Sequence, residues 1–256
     1  MTEGASSRDT GGKRQNDGTA PVGGATVSGA DGQGLDAGLL SLPGYGVHAQ
    51  AWKDYGSSTP TSITTPPRTT NSGSMMVAAV VRYNHYRRSL QPSDSYGNTY
   101  SSLGPPLSLA DWPDSRVALY ASSNIAGGVG HTLTISDTET DEVTIFAIEL
   151  RNVGLVADYR TRIVPESQAS KTLTTPDVTV TGPAVIVAVL VVSKAVNSVF
   201  YGASNGFTIV EFQDYGENAC SGAMAVRAVS SAGTYNTSFS LDHADAGALL
   251  IAAFKQ

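Results

Sequence analysis

Apolar residues in this chain gather in short runs separated by turn-forming residues. The runs occupy residues 75–82 (MMVAAVVR), 117–121 (VALYA), 131–136 (HTLTIS) and 143–150 (VTIFAIEL). They resume at 178–181, 184–192 (AVIVAVLVV), 207–212 (FTIVEF), 223–229, 237–241 and 248–254. Within HTLTIS, Leu133 and Ile135 alternate with Thr132, Thr134 and Ser136. Such alternation belongs to a strand with one buried and one wet face. Gly97-Asn98, Gly127-Gly128, Asn205-Gly206 and Gly233 punctuate the runs. No long stretch carries the period of an amphipathic helix. Many short strands with recurring turn signals predict an all-β fold, an antiparallel β-sandwich of jelly-roll-like type.

The pattern also repeats. ALYASSNIAGGVGHTLTISDTETDEVTIFAIEL aligns without a gap on MAVRAVSSAGTYNTSFSLDHADAGALLIAAFK. Leu133 falls on Phe239 and Ile135 on Leu241, an offset of 239 − 133 = 106, and Ile145 falls on Ile251. Upstream, Ser72-Gly73 before one apolar run matches Thr181-Gly182 before the other, at 182 − 73 = 109. The chain therefore reads as two similar halves, divided as residues 46–160 and 161–256. Periodicity is compatible with two small sandwiches or with two sheets of one larger sandwich. The unbroken apolar run 184–192 predicts a strand covered on both faces, which favours close packing of the halves.

Composition adds an N-terminal arm. Residues 1–35 are mostly Gly, Ser, Thr, Asp and Ala. Such a segment buries too little surface to offset its ordering entropy, so an extended arm over residues 1–45 is predicted, ordered only by a partner surface. Residues 57–72 (SSTPTSITTPPRTTNS) read as a second loop-like stretch, where Pro66 and Pro67 argue against a central strand. Hydrophobic residues make up 41%, charged residues 15%, and 27 are glycines, which suits a turn-rich β protein. A net charge of −6 gives no reason to expect a nucleic-acid partner. The single cysteine, Cys220, has no internal disulfide partner. The N-terminal residues lack the apolar core of a signal peptide, and 184–192 is too short for a membrane-spanning helix. The expectation is a protein made in the cytoplasm that stays soluble, leaving only by lysis or within a particle, with no membrane partner.

Candidate chemistry is sparse. DSYGNTY, residues 94–100, offers Asp94, Ser95 and Asn98 to a cation, but a calcium loop wants several carboxylates and this one has a single one. A turn in which Asp94 bonds its own backbone is expected instead. His48, His85, His131 and His243 show no zinc-type spacing, and His131 is expected half-buried at a strand end. No nucleophile elbow or phosphate-binding loop is present. The acidic segment SDTETDEV, with Asp137, Glu139, Asp141 and Glu142, is expected to be a solvated loop. RYNHYRR, with Arg82, Tyr83, His85, Tyr86, Arg87 and Arg88, combines arginine with aromatics, as contact surfaces do. Those arginines and tyrosines, with Trp112, are the candidates for contact with a partner or a glycan. Trp112 is expected to pack over the sandwich end. No catalytic, cofactor-binding or metal residue is assigned, and no cofactor is expected.

The turn and strand signatures together resemble a known class of domain. They comprise Ser72-Gly73 with its strand, DSYGNTY, Ala118-Leu119-Tyr120, Gly127-Gly128 with HTLTIS, VTIFAIEL, TLTTPDVTVTGPAVIVAVLVV, Asn205-Gly206-Phe207-Thr208, Ala232-Gly233-Thr234-Tyr235 and the closing IAAFK. Over residues 50–255 the chain resembles a β-sandwich domain recurring in phage virion proteins and bacterial surface proteins. The resemblance implies a non-enzymatic structural component of the particle, a capsid decoration or tail fibre protein. Its partners would be capsid or tail subunits, and copies of itself in a homo-oligomer. The alternative is a carbohydrate-binding module for host-surface glycans, built on exposed aromatics such as Tyr83, Tyr86, Tyr96, Tyr100 and Trp112.

Overall fold

A computed structural model describes residues 42–53, 61–84, 88–139, 141–193, 200–213 and 221–256. The predicted arm up to residue 41, together with His85, Tyr86, Arg87 and Cys220, lies outside the described residues. Residues from Leu40 to Gln256 form one compact unit.

The fold is an all-β antiparallel sandwich. Its first nine strands are β1 (Gly44–Lys53), β2 (Ser62–Thr64), β3 (Met75–Arg82), β4 (Ser93–Asp94), β5 (Ser101–Ser102), β6 (Leu107–Leu109), β7 (Trp112–Ser122), β8 (Leu133–Ser136) and β9 (Val143–Arg151). The chain continues through β10 (Leu155–Val164), β11 (Ser170–Thr174), β12 (Val178–Val180), β13 (Ala184–Val192), β14 (Phe200–Ala203), β15 (Thr208–Gln213), β16 (Gly222–Val229), β17 (Gly233–Tyr235), β18 (Ser238–Asp245) and β19 (Gly247–Lys255). One large sheet has the order β1-β9-β3-β7-β5, with β6 also on β7, and the other has β10-β19-β13-β16-β15. Small sheets follow the orders β2-β8-β4 and β11-β18-β14, and β12 pairs with β17.

Three apolar cores separate four layers. Val77, Leu119, Phe146 and Ile148 of the first large sheet meet Val187, Met224, Leu250 and Phe254 of the second. The opposite face of the first sheet, with Val80 and Ile145, packs on Ile63, Leu133 and Ile135 of the β2-β8-β4 sheet. On the far side, Ile186 and Ile251 pack on Leu173, Phe239 and Leu241 of the β11-β18-β14 sheet. The large sheets thus lie back to back, each with a small sheet outside it. This explains why 75–82, 143–150, 184–192 and 248–254 are apolar without alternation: these strands bury both faces. A side-chain hydrogen bond of 2.7 Å between His48 Nδ1 on β1 and Glu211 Oε1 on β15 also links the large sheets.

β1 and β10 are absent from the apolar pattern of the sequence. They edge the two large sheets; β1 exposes Tyr45 and Trp52, and β10 exposes Leu155 and Val156 as well as Arg160, Thr161 and Arg162. Strand pairing also corrects one repeat offset. Ile145 on β9 and Ile251 on β19 both face away from the core between the large sheets, as an offset of 106 requires. In β3 and β13 the offset of 109 would place inward Val77 on outward Ile186. Pairing of Val77 with Ile148, and of Val185 with Phe254, gives 185 − 77 = 108 instead.

The two large sheets share one polarity. At one end lie Gly44 paired with Arg151, Leu155 paired with Lys255, and the backbone bond from Gly154 N–H to the Lys255 carbonyl at 2.8 Å. At the other end lie Lys53, Arg82, Val164 and Val192. The chain therefore enters the body at Leu42–Gly44 and finishes it at Lys255 on the same end.

Candidate functional site

The residues singled out by sequence fall into three places. DSYGNTY forms a turn at the end where the chain enters. Gly97 adopts φ +74°, a left-handed conformation that costs glycine nothing. The Asp94 carboxylate accepts the backbone N–H groups of Tyr96 and Asn98, each at 3.0 Å. It also accepts the Tyr100 hydroxyl and the Asn98 amide at 2.8 Å, and meets His131 Nε2 at 2.9 Å. His131 Nδ1 lies 2.7 Å from the Thr70 hydroxyl. Hydroxyl, imidazole and carboxylate are in the order of a nucleophilic triad. However, Thr70 and His131 are buried, and the Tyr96 ring lies edge-on to the imidazole at 5.0 Å. A hydroxyl sealed in this way has no room for a substrate carbonyl, so the cluster is a corner of the fold. His131 is more deeply buried than its strand-end position predicts.

Burial alone would raise the pKa of Asp94. Hydrogen bonds from Asn98, His131 and Tyr100 outweigh that effect and hold the carboxyl below its ordinary 3.8. Burial, and then the Asp94 charge, push the Tyr100 hydroxyl far upward. Because the folded pKa is the lower one, the ionised corner contributes its full stability above 3.8 and loses it as pH falls through the folded value. Asp94→Asn is therefore expected to cost about 1–3 kcal/mol near neutral pH and progressively less in acid. Thermal melts of both proteins from about pH 7 to about pH 2 check this. A gap in melting temperature that stays constant with pH would show that ionisation contributes nothing.

The second place is the acidic segment, where the expected solvated loop holds for exposed Asp137 and half-buried Glu139 but is overturned for Asp141 and Glu142. Thr138 and Asp141 are fully buried and Glu142 nearly so. Arg82, also a predicted contact residue, is fully buried beneath them. Its guanidinium donates to Asp141 Oδ2 at 3.0 Å, to the Asp137 carbonyl at 2.9 Å and to the Ser136 carbonyl. Asp141 Oδ1 accepts the Asn84 N–H at 2.8 Å. Arg82 holds the β8–β9 connection from inside and has no face left for a partner or a glycan. Arg88, another predicted contact, leans onto the same connection, donating to the Glu139 carbonyl and lying 3.7 Å from Asp141.

The third place is a cleft at the end opposite Lys255. Tyr83 follows β3 and is buried, with its hydroxyl donating to the Val192 carbonyl at 2.7 Å. Its ring stacks on Trp112, with centroids 5.8 Å apart and planes 16° apart. Trp112 opens β7 and remains 48% exposed, so it caps the end without being covered. Beside it lies a cleft of about 330 Å³ lined by Asp111, Trp112, Glu166 and Ser193. Ser193 is 1% exposed, and its hydroxyl meets no hydrogen-bond partner. Sequence reading found Tyr83 and Trp112 but not their neighbours. Asp111 adjoins Trp112 in the chain and could have been noticed. Glu166 and Ser193 come from the second half, and no local pattern marks them.

Among the described residues, no group of three or more His, Cys, Asp or Glu side chains could hold a metal ion. None of their helices is long and apolar enough to cross a membrane. Comparison with protein-family models, curated proteins and solved structures returns no match. The functional reading therefore rests on the geometry of this chain.

Proposed function

We propose that the chain is a non-enzymatic structural component of a phage particle, a decoration or fibre-type protein held in place through its N-terminal arm. The observation that carries this reading is the allocation of side chains. Residues from 42 onward build a stiff four-layer body with three apolar cores. The first 35 residues, by contrast, have almost nothing with which to build a core. A rigid body joined to a polar arm suits attachment in which the arm gains contacts on neighbouring capsid or tail subunits. We also read each half as a jelly roll, because its closing strand (β9 or β19) lies between its opening strand and its central long strand. Jelly rolls recur in capsid and lectin domains, so the likeness supports the reading at the level of fold. In this reading the protein resides in the virion after synthesis in the host cytoplasm, and copies of the chain associate with one another.

Deleting residues 1–40 tests the assignment. The truncated protein is expected to keep the thermal transition of the full chain and to be missing from purified particles. Incorporation at the full-length level would refute the role of the arm.

A further inference from the structure

We infer that the cleft beside Trp112 binds a neutral saccharide. An indole face is held rigid by its stack on Tyr83, which is itself pinned through its hydroxyl to the Val192 carbonyl. Such a face presents flat apolar surface without having to be ordered by the ligand. The C–H face of a pyranose ring packs against such a surface. Asp111 and Glu166 line the same cleft and offer carboxylate oxygens to sugar hydroxyls, which can donate to both. The cleft volume, about 330 Å³, falls within the range of small-ligand sites.

The same groups set the specificity. Two carboxylates in a chain of net charge −6 disfavour sialylated and sulfated sugars. A quaternary ammonium would meet the aromatic face and the carboxylate charges, but it has no N–H to donate, whereas a sugar can donate a hydroxyl to each of Asp111 and Glu166. Among the described residues, the saccharide pairs both carboxylates that line the cleft. The position is also suitable: the cleft lies at the end of the body opposite both Leu42 and Lys255.

Titration of the full-length protein tests the inference independently of any role in a particle. Malto-, cello- and galacto-oligosaccharides, 3′-sialyllactose and choline are added in turn, with tryptophan fluorescence as the readout. Trp52, the only other tryptophan, is replaced by phenylalanine so that Trp112 reports alone. At least one neutral oligosaccharide is expected to shift the emission saturably, with 3′-sialyllactose and choline inactive. On a glycan array carrying the same sugars, Trp112→Ala is expected to reduce binding by about tenfold or more, or about 1.4 kcal/mol. Asp111→Asn and Glu166→Gln are expected to reduce it several-fold without changing the melting temperature. Trp112 and both acids are surface residues, so these variants fold. Failure of every neutral sugar at millimolar concentration, binding that survives Trp112→Ala, or preference for choline or the sialylated sugar would each overturn the inference.

Discussion

Replacing Arg82 by alanine is expected to destabilise the fold by about 3–5 kcal/mol and to lower its melting temperature by about 6–20 °C. The reason lies in what the substitution leaves behind. Burial lowers the pKa of Arg82 and raises that of Asp141, so desolvation outweighs the attraction between them. Buried ion pairs such as this one, at 3.0 Å, are often no more stabilising than two well-packed apolar side chains. Once formed, however, it cannot lose one member cheaply. Without Arg82, the Asp141 carboxylate stays buried with the Asn84 N–H but without its fully buried counter-ion. The carbonyls of Ser136 and Asp137 lose their donor as well. The double variant Arg82→Met/Asp141→Leu is expected to recover at least half of the loss, because it removes both charges. Urea denaturation of the three proteins measures both effects. If Arg82→Ala melted within about 2 °C of the parent, the pair would be a surface feature of little worth.

The second large effect is expected at Phe146. This side chain is fully buried on β9, in the core between the two large sheets. Its partners along the ladder are Ala79 on β3 and Gln50 on β1. It reaches across to the other sheet at Gly222 on β16, where an added Cβ would lie 3.4 Å from the Phe146 ring and 2.6 Å from the Leu190 carbonyl oxygen. Ala79 in the ladder and Gly222 across the interface leave space that the ring fills. Phe146→Ala is expected to cost about 3–5 kcal/mol, because the β ladders on both sides restrict collapse into the cavity. Phe146→Leu, which keeps most of the volume, is expected to cost about 1.5 kcal/mol or less. Equal losses for the two variants in denaturant titrations would mean that volume at this contact does not decide stability.

The centre of the fold was legible because its strands bury both faces. Residues 75–82, 143–150, 184–192 and 248–254 are continuous apolar runs, and all four are central strands. That same property hid their register. A strand apolar on every position has no alternation to show which residues face inward, so the match of Gly73 to Gly182 slipped by one residue. Edge strands β1 and β10 were hidden for another reason: β1 is mostly half-buried and β10 mostly exposed, so neither carries a continuous apolar run. The burial of Asp141 was illegible because the residue that makes it possible, Arg82, lies on β3, far from it in sequence. The cleft was half legible. Trp112 and Tyr83 declared themselves as aromatics beside charge, whereas Ser193 and Glu166 reach them only through the packing of one large sheet on the other.

The shared polarity of the two large sheets has a mechanical consequence. A pull between Leu42, where the chain enters, and a ligand seated at Trp112 would run along the strands. Tension would then act on the hydrogen bonds between β1 and β9 all at once, in shear, along a register that extends from Gly44–Arg151 to Lys53–Val143. A pull between Leu42 and Lys255, on the same end, would instead peel the strands apart one rung at a time. The body resists force best in the direction that joins its tether to its far cleft.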